Sequence, residues 1–162
     1  MSDSHAVEDA DLRPRPEIEI RDAGPNDEAA WRELWGQYLA FYKVKIAPEV
    51  TDQTWKRCLD PASPLTARLA VAGERVLGFA MYHHHLSTWA LGPDCYLEDL
   101  FLCREARGLG LGQALMDDLI AICKERGFDR LYWHTDVNNH RARKLYDKLA
   151  AADGHVRYRI SF

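Results

Sequence analysis

Three groups of residues in this 162-residue chain have types and spacings that could do chemistry. The first is the run Arg107-Gly108-Leu109-Gly110-Leu111-Gly112, which follows a strand-like stretch (Tyr96–Leu102) and leads straight into a helical pattern. Glycine lets the backbone take positive φ and lets a ligand approach with no Cβ in the way. The first N–H groups of a helix have no internal partners. A phosphate above them is stabilised by those donors and by the helix dipole, by ~0.3–1 kcal/mol per charge and up to ~2 when partly buried. Arg107 would add a fixed positive charge whose fork geometry suits phosphate. The run is not a dinucleotide fingerprint. Counted from Gly108, Gln113 stands where the third glycine should be, and the turn comes late in the chain instead of after its first strand. The Walker lysine-hydroxyl pair is absent too.

The second group is the carboxylate pair Glu98 and Asp99, inside the strand-like stretch. Plain alternation puts Glu98 on the face of Tyr96, Leu100 and Leu102, with Asp99 on the other. The third is His83-His84-His85. His83 and His85 would share a face, but spacing signposts no third ligand, so a histidine-lined rim or acceptor pocket is expected and no metal site. Tyr146 lies on the apolar stripe of a final helix, which by spacing alone reads as core, and Asn139 stands where it would cap that helix.

The elements that must position these residues follow from periodicity. Met1 to Pro16 is polar, acidic and proline-punctuated, and is read as a flexible leader before a single domain over residues 17–162. Ile18 and Ile20 alternate with charged residues as in a half-buried strand. Trp31, Leu34, Trp35, Tyr38, Leu39 and Tyr42 recur at three and four, predicting a helix over 26–43, and Pro48 opens a second through Leu59. Leu65–Ala72 and Arg75–His85 flank Gly73-Glu74 as a hairpin would. The strand up to Leu102 is followed by a helix carrying Leu111, Leu115, Leu119 and Ile122, ended by Gly127. Arg130–Thr135 predicts a strand, Ala142–Ala150 a helix and Val156–Ile160 a last strand. The fold class is mixed α/β: a central twisted sheet with an antiparallel first half, flanked by about four helices.

With 47% hydrophobic and 28% charged residues the chain can bury a core. A net charge of -4 argues against bulk electrostatic attachment to nucleic acid or an anionic membrane. Cys58, Cys95, Cys103 and Cys123 form no CxxC pair and read as apolar fillers in a reducing compartment. No stretch approaches the ~18 apolar residues of a membrane helix, and the start of the chain lacks a signal peptide's apolar core. A cytoplasmic protein is expected.

Two of these runs carry a resemblance. Arg107-x-x-Gly110-x-Gly112 matches the (Arg/Gln)-x-x-Gly-x-(Gly/Ala) motif of the GNAT (GCN5-related N-acetyltransferase) superfamily, and Asn139-x-x-Ala142-x-x-Leu145-Tyr146 resembles its second signature. Ser87-Thr88-Trp89 followed by Tyr96-Leu97-Glu98-Asp99-Leu100-Phe101 is similar to the spermidine/spermine and thialysine branch. Trp133-His134-Thr135 through Asn139, Ala142, Arg143, Leu145, Tyr146 and Asp147 resembles the yeast histone/polyamine and D-amino-acid branch. The chain departs after Tyr146, where Ala150-Ala151-Ala152-Asp153-Gly154-His155 intervenes in place of the common Lys-x-Gly-Phe.

The resemblance implies a single GNAT-like domain that binds acetyl-coenzyme A. The cofactor's pyrophosphate would lie on Arg107, Gly108, Leu109, Gly110, Leu111, Gly112 and Gln113. Its pantetheine amides would pair with the backbone of Leu100, Phe101 and Leu102, and Asn139 and Ala142 would line its path. Glu98 becomes the base or ammonium anchor, with Asp99 as the alternative, and Tyr146 the general acid to the coenzyme A thiolate. The family often bulges this strand, which would break face parity beyond the bulge. Tyr42 would border the acceptor, a polyamine, amino acid or lysine-like small amine, and the family implies a homodimer. The alternatives are a non-catalytic acyl-coenzyme A sensing module and a peptide or histone lysine acetyltransferase.

Overall fold

Neighbouring residues along each strand point to opposite sides of one sheet, and each side is covered by helices of matching apolar stripe. Leu69, Phe79 and Phe101 face Trp31, Trp35 and Trp55, while Ala70, Ala80 and Leu97 face Leu115, Met116 and Leu119. The computed structural model describes residues 17–162, so the leader expected over 1–16 lies outside the described residues. Strands β1 (Ile18–Asp22), β2 (Leu65–Ala72), β3 (Arg75–His85), β4 (Asp94–Leu102) and β5 (Arg130–Trp133) stand in the sheet in chain order. The first four are antiparallel neighbours, and β5 joins β4 in parallel.

Helices α1 (Glu28–Phe41) and α2 (Pro48–Leu59) cover one face. Helix α1 is preceded by a 3-10 turn over Pro25–Asp27, so the helix expected from residue 26 begins two residues later. Trp31 stacks on both Trp35 (5.4 Å) and Trp55 (5.0 Å), fixing the two helices to each other through aromatic faces. Helix α3 (Leu111–Glu125) covers the other face and supplies the crossover that a parallel β4–β5 pair requires. Arg68 of β2 is tied to Asp118 of α3 by two hydrogen bonds of 2.8 and 2.7 Å, a bidentate pair between sheet and helix. Helix α4 (His140–Tyr146) follows β5 and packs Leu145 and Tyr146 onto the α3 side.

Two expectations are corrected. Met81 pairs with Asp99 but Tyr82 pairs with Leu97, so Glu98 is an extra residue, a β-bulge. Beyond it the parity flips: Asp99 and Phe101 turn to the α1 side while Leu100 and Leu102 stay on the α3 side. Glu98 therefore does not share a face with Leu100 and Leu102. The strand expected over Val156–Ile160 is not formed, and Val156, Tyr158 and Ile160 are 77%, 92% and 80% exposed. The alternation of a strand is present in that segment, but among the described residues it pairs with no edge.

Candidate active site

The site begins where two strands part. β5 pairs with β4 only from Asp94↔Arg130 to Leu97↔Trp133, whereas β4 keeps its other neighbour, β3, as far as Leu102↔Gly78. Along 98–102 the β5 side of β4 is therefore an open edge, facing a cleft of about 630 Å³ between β4, the glycine turn and α4. Leu100, Phe101 and Leu102 line it, and an extended ligand with its own amides could add there as a strand does.

The glycine turn closes one end. Gly108 and Gly110 have φ of 82° and 80°, a region that residues with a Cβ rarely adopt, and Gly110 is the N-cap of α3. The first helical hydrogen bond runs from the Ala114 N–H to the Gly110 carbonyl (3.0 Å), so the amides ahead of it have no intrahelical partner. Gly112 has another reason: a Cβ there would come within 3.1 Å of Leu145 Cδ2, so its absence lets α4 pack against α3.

The remaining turn residues divide. Arg107 lines the cleft, yet its Nε donates to the Leu102 carbonyl (3.2 Å) and its guanidinium lies 5.6 Å from the Phe101 ring centre. It braces the turn against β4 before it binds anything. Gln113 lines the cleft with its Nε2 committed to Asp117 (2.8 Å). Leu111 is buried in the core and can offer only its backbone, and Leu109 is exposed outside the cleft lining.

Asn139 accepts a hydrogen bond from the Ala142 N–H (3.2 Å), capping α4 as expected, and Asn139 and Ala142 both line the cleft. Tyr42 lines it as well, beside Asn139 and Tyr146. Arg141, Lys144 and Lys148 also border this cleft. Arg141 and Lys144 lie on α4 and Lys148 in the turn after it; their spacing of three and four is a basic stripe legible in the sequence of an acidic chain.

The two carboxylates at the bulge have different surroundings. Glu98 lines the cleft and its side chain is 51% exposed. Asp99 accepts a hydrogen bond from the Tyr38 hydroxyl on α1. Burial pushes the Asp99 carboxyl up to about 6, with the Tyr38 bond opposing and the Glu98 charge adding to the rise. Tyr146 lines the cleft with its ring edge-on to Trp133 at 5.4 Å. Burial, and then the neighbouring Tyr42, raise its hydroxyl to about 12, so it stays a proton donor across the usable pH range.

Beside Glu98 and outside the cleft, the sheet carries a rim of imidazoles and phenols. His83 Nε2 lies 3.5 Å from Glu98 Oε2, and its ring meets Tyr96 edge-on at 5.3 Å. His85 Nε2 is hydrogen-bonded to the Tyr132 hydroxyl (2.7 Å), and Tyr132 stacks on Tyr96 at 5.0 Å. His84 turns to the opposite face and stacks on Phe128. Among the described residues no three His, Cys, Asp or Glu side chains gather as a metal site requires.

Known proteins resemble this chain in sequence and in fold. A family model described as the acetyltransferase (GNAT) family matches residues 28–151. The D-amino-acid N-acetyltransferase HPA3 of Saccharomyces cerevisiae is 37% identical, over 88% of this chain and 89% of its own length. The thialysine N-epsilon-acetyltransferase of Bos taurus is 33% identical over 68% of each chain. Among solved structures, AAC(6′)-Iy in complex with the bisubstrate analog CoA-S-monomethyl-acetylneamine superposes with a TM-score of 0.76 at 18% identity, which is a likeness of fold.

Proposed function

The chain belongs to the acetyltransferase (GNAT) family, and from that premise we propose that it moves the acetyl group of acetyl-coenzyme A to the primary amine of a small molecule. The observation that carries the reading is the open β4 edge. It runs from the free amides of the glycine turn to Glu98, and Tyr146 lines the same cleft. The turn amides and the basic stripe of α4 suit the phosphates of coenzyme A, and the edge at Leu100, Phe101 and Leu102 suits the amides of its pantetheine arm.

Glu98 accepts a proton from the acceptor's ammonium, directly or through water. The freed amine attacks the thioester carbonyl, so a C–N bond forms and the C–S bond breaks. The departing sulfur takes its proton from the Tyr146 hydroxyl, and the second proton that the nitrogen loses as the amide forms restores that hydroxyl through solvent. Asp99, held by Tyr38 away from the cleft, supports the bulge that presents Glu98. Tyr42 reads better as a wall of the cofactor cleft, next to Asn139, than as an acceptor contact.

The names of the relatives, a D-amino-acid and a thialysine N-acetyltransferase, support an amino-acid-like acceptor. The test is thiol release from acetyl-coenzyme A with D- and L-amino acids, thialysine, polyamines and a lysine peptide. The expected result is release well above background with at least one free amino acid or thialysine. Tight cofactor binding with no release on any amine would sink the catalytic reading.

No helix among the described residues is long and apolar enough to cross a membrane. The four free cysteines support work in a reducing, cytoplasmic compartment. The exposed alternation Val156, Tyr158, Ile160, Phe162 supports a homodimer in which this segment adds to a second copy. Sedimentation should give a dimer for the native chain and a monomer when the chain is cut after His155. A cut chain that stays dimeric would reject that contact.

A further inference from the structure

The imidazole rim beside Glu98 has no part in acetyl transfer as described, and its composition is unsuited to a polyamine. Of the carboxylates near it, Asp99 is held by Tyr38, Asp153 by His155, and Asp94, opposite His85 in the register, is buried with Arg130 at 3.5 Å, which leaves Glu98 for an ammonium. A second ammonium would lie against His83, His85 and His134, with Arg157 close to the Tyr96 hydroxyl adding another positive charge.

We propose that His83 is the specificity residue for an acceptor that carries a carboxylate beside its amine: with the ammonium on Glu98, the carboxylate falls on the His83 imidazole. This rests on the reading of Glu98 as the group that receives the amine.

Geometry singles out His83 among the histidines here. His85 is committed through Nε2 to Tyr132 and has Nδ1 against the Leu86 carbonyl (2.9 Å). His134 has Nδ1 3.3 Å from the Tyr96 hydroxyl, and His84 points to the other face. His83 has no hydrogen bond to protein among the described residues, its side chain is 31% exposed, and the Tyr96 ring edge holds it with Nε2 3.5 Å from Glu98. Glu98 thus has the cofactor cleft on one side and an uncommitted imidazole on the other. An anion and a potential cation side by side are the complement of an α-amino acid, whose opposite charges are adjacent too.

The experiment compares kcat/KM for phenylalanine, both enantiomers, with that for 2-phenylethylamine, the same amine without its carboxylate. The native enzyme is expected to prefer the better phenylalanine enantiomer by roughly ten- to a hundred-fold, the range of one charge-assisted hydrogen bond. His83→Gln should bring the ratio towards one, mainly by raising KM for the amino acid, and His83→Glu should reverse the preference. Melting curves of both variants check the fold. Turnover with the native ratio retained in both variants overturns the role of His83 alone. No turnover of any amine by the native enzyme overturns the acetyl-transfer reading and this inference with it.

Discussion

Replacing Tyr146 with phenylalanine should lower kcat by roughly 10²–10³-fold, the cost of losing one donor aimed at charge that develops in the transition state. The KM for acetyl-coenzyme A should change little. The ring is what packs: it meets Trp133 edge-on, and its hydroxyl has no hydrogen-bond partner among the described residues, so the variant keeps the wall of the cleft. The raised proton affinity of Tyr146 defines what the hydroxyl does. At about 12 it lies well above a free thiol's ~8.5, a gap of about 5 kcal/mol, so the phenol does not protonate a resting thiolate outright. In the proposed reaction it would donate a hydrogen bond to sulfur as the C–S bond lengthens, with transfer completing as the intermediate collapses. Rapid-quench or steady-state turnover with a saturating amine measures the effect. Turnover equal to the native enzyme would remove Tyr146 from the reaction.

How far the sequence reveals this site depends on whether each feature is local. The turn at 108–110 is local: glycine takes those φ values without strain, and a helix pattern starts immediately after, so a candidate anion site is legible in six residues. The cap at Asn139 is local as well. The bulge at Glu98 is not, because it is a mismatch of register between β3 and β4, and a single strand carries no record of its partner's count. That mismatch undoes the face assignment made from alternation, turning Asp99 to Tyr38, a residue 61 positions away. The same limit governs Val156–Ile160, whose pattern states that one face wants burial and not which edge supplies it. His83 lies between these cases: its face follows from period two, but its place beside Glu98 follows only from the pairing of His83 with Tyr96, which a single strand does not state.

Replacing Glu98 with glutamine should cost roughly 10²–10⁴-fold in kcat/KM at neutral pH, the usual contribution of a positioned base, with a pH profile that identifies the cause. An alkyl ammonium ionises near pH ~10.4, so supplying the free amine at pH 7 costs about 4–5 kcal/mol. Glutamine keeps the shape of the side chain and its place on the bulge but cannot take the proton, so the variant must wait for amine that solution has already deprotonated. Its kcat/KM should therefore climb about tenfold per pH unit towards the amine's own pKa, narrowing the gap to the native enzyme, which reaches its plateau earlier. A general loss of structure would lower the whole profile without that slope. Asp99→Asn is the control for the rival carboxylate: it replaces the carboxylate that accepts from the Tyr38 hydroxyl with a neutral amide, a weaker acceptor, and its effect should appear first in the melting temperature. If Asp99→Asn shows the rising slope and Glu98→Gln does not, the proton goes to Asp99. The bulge would then serve to bury the base instead of presenting it.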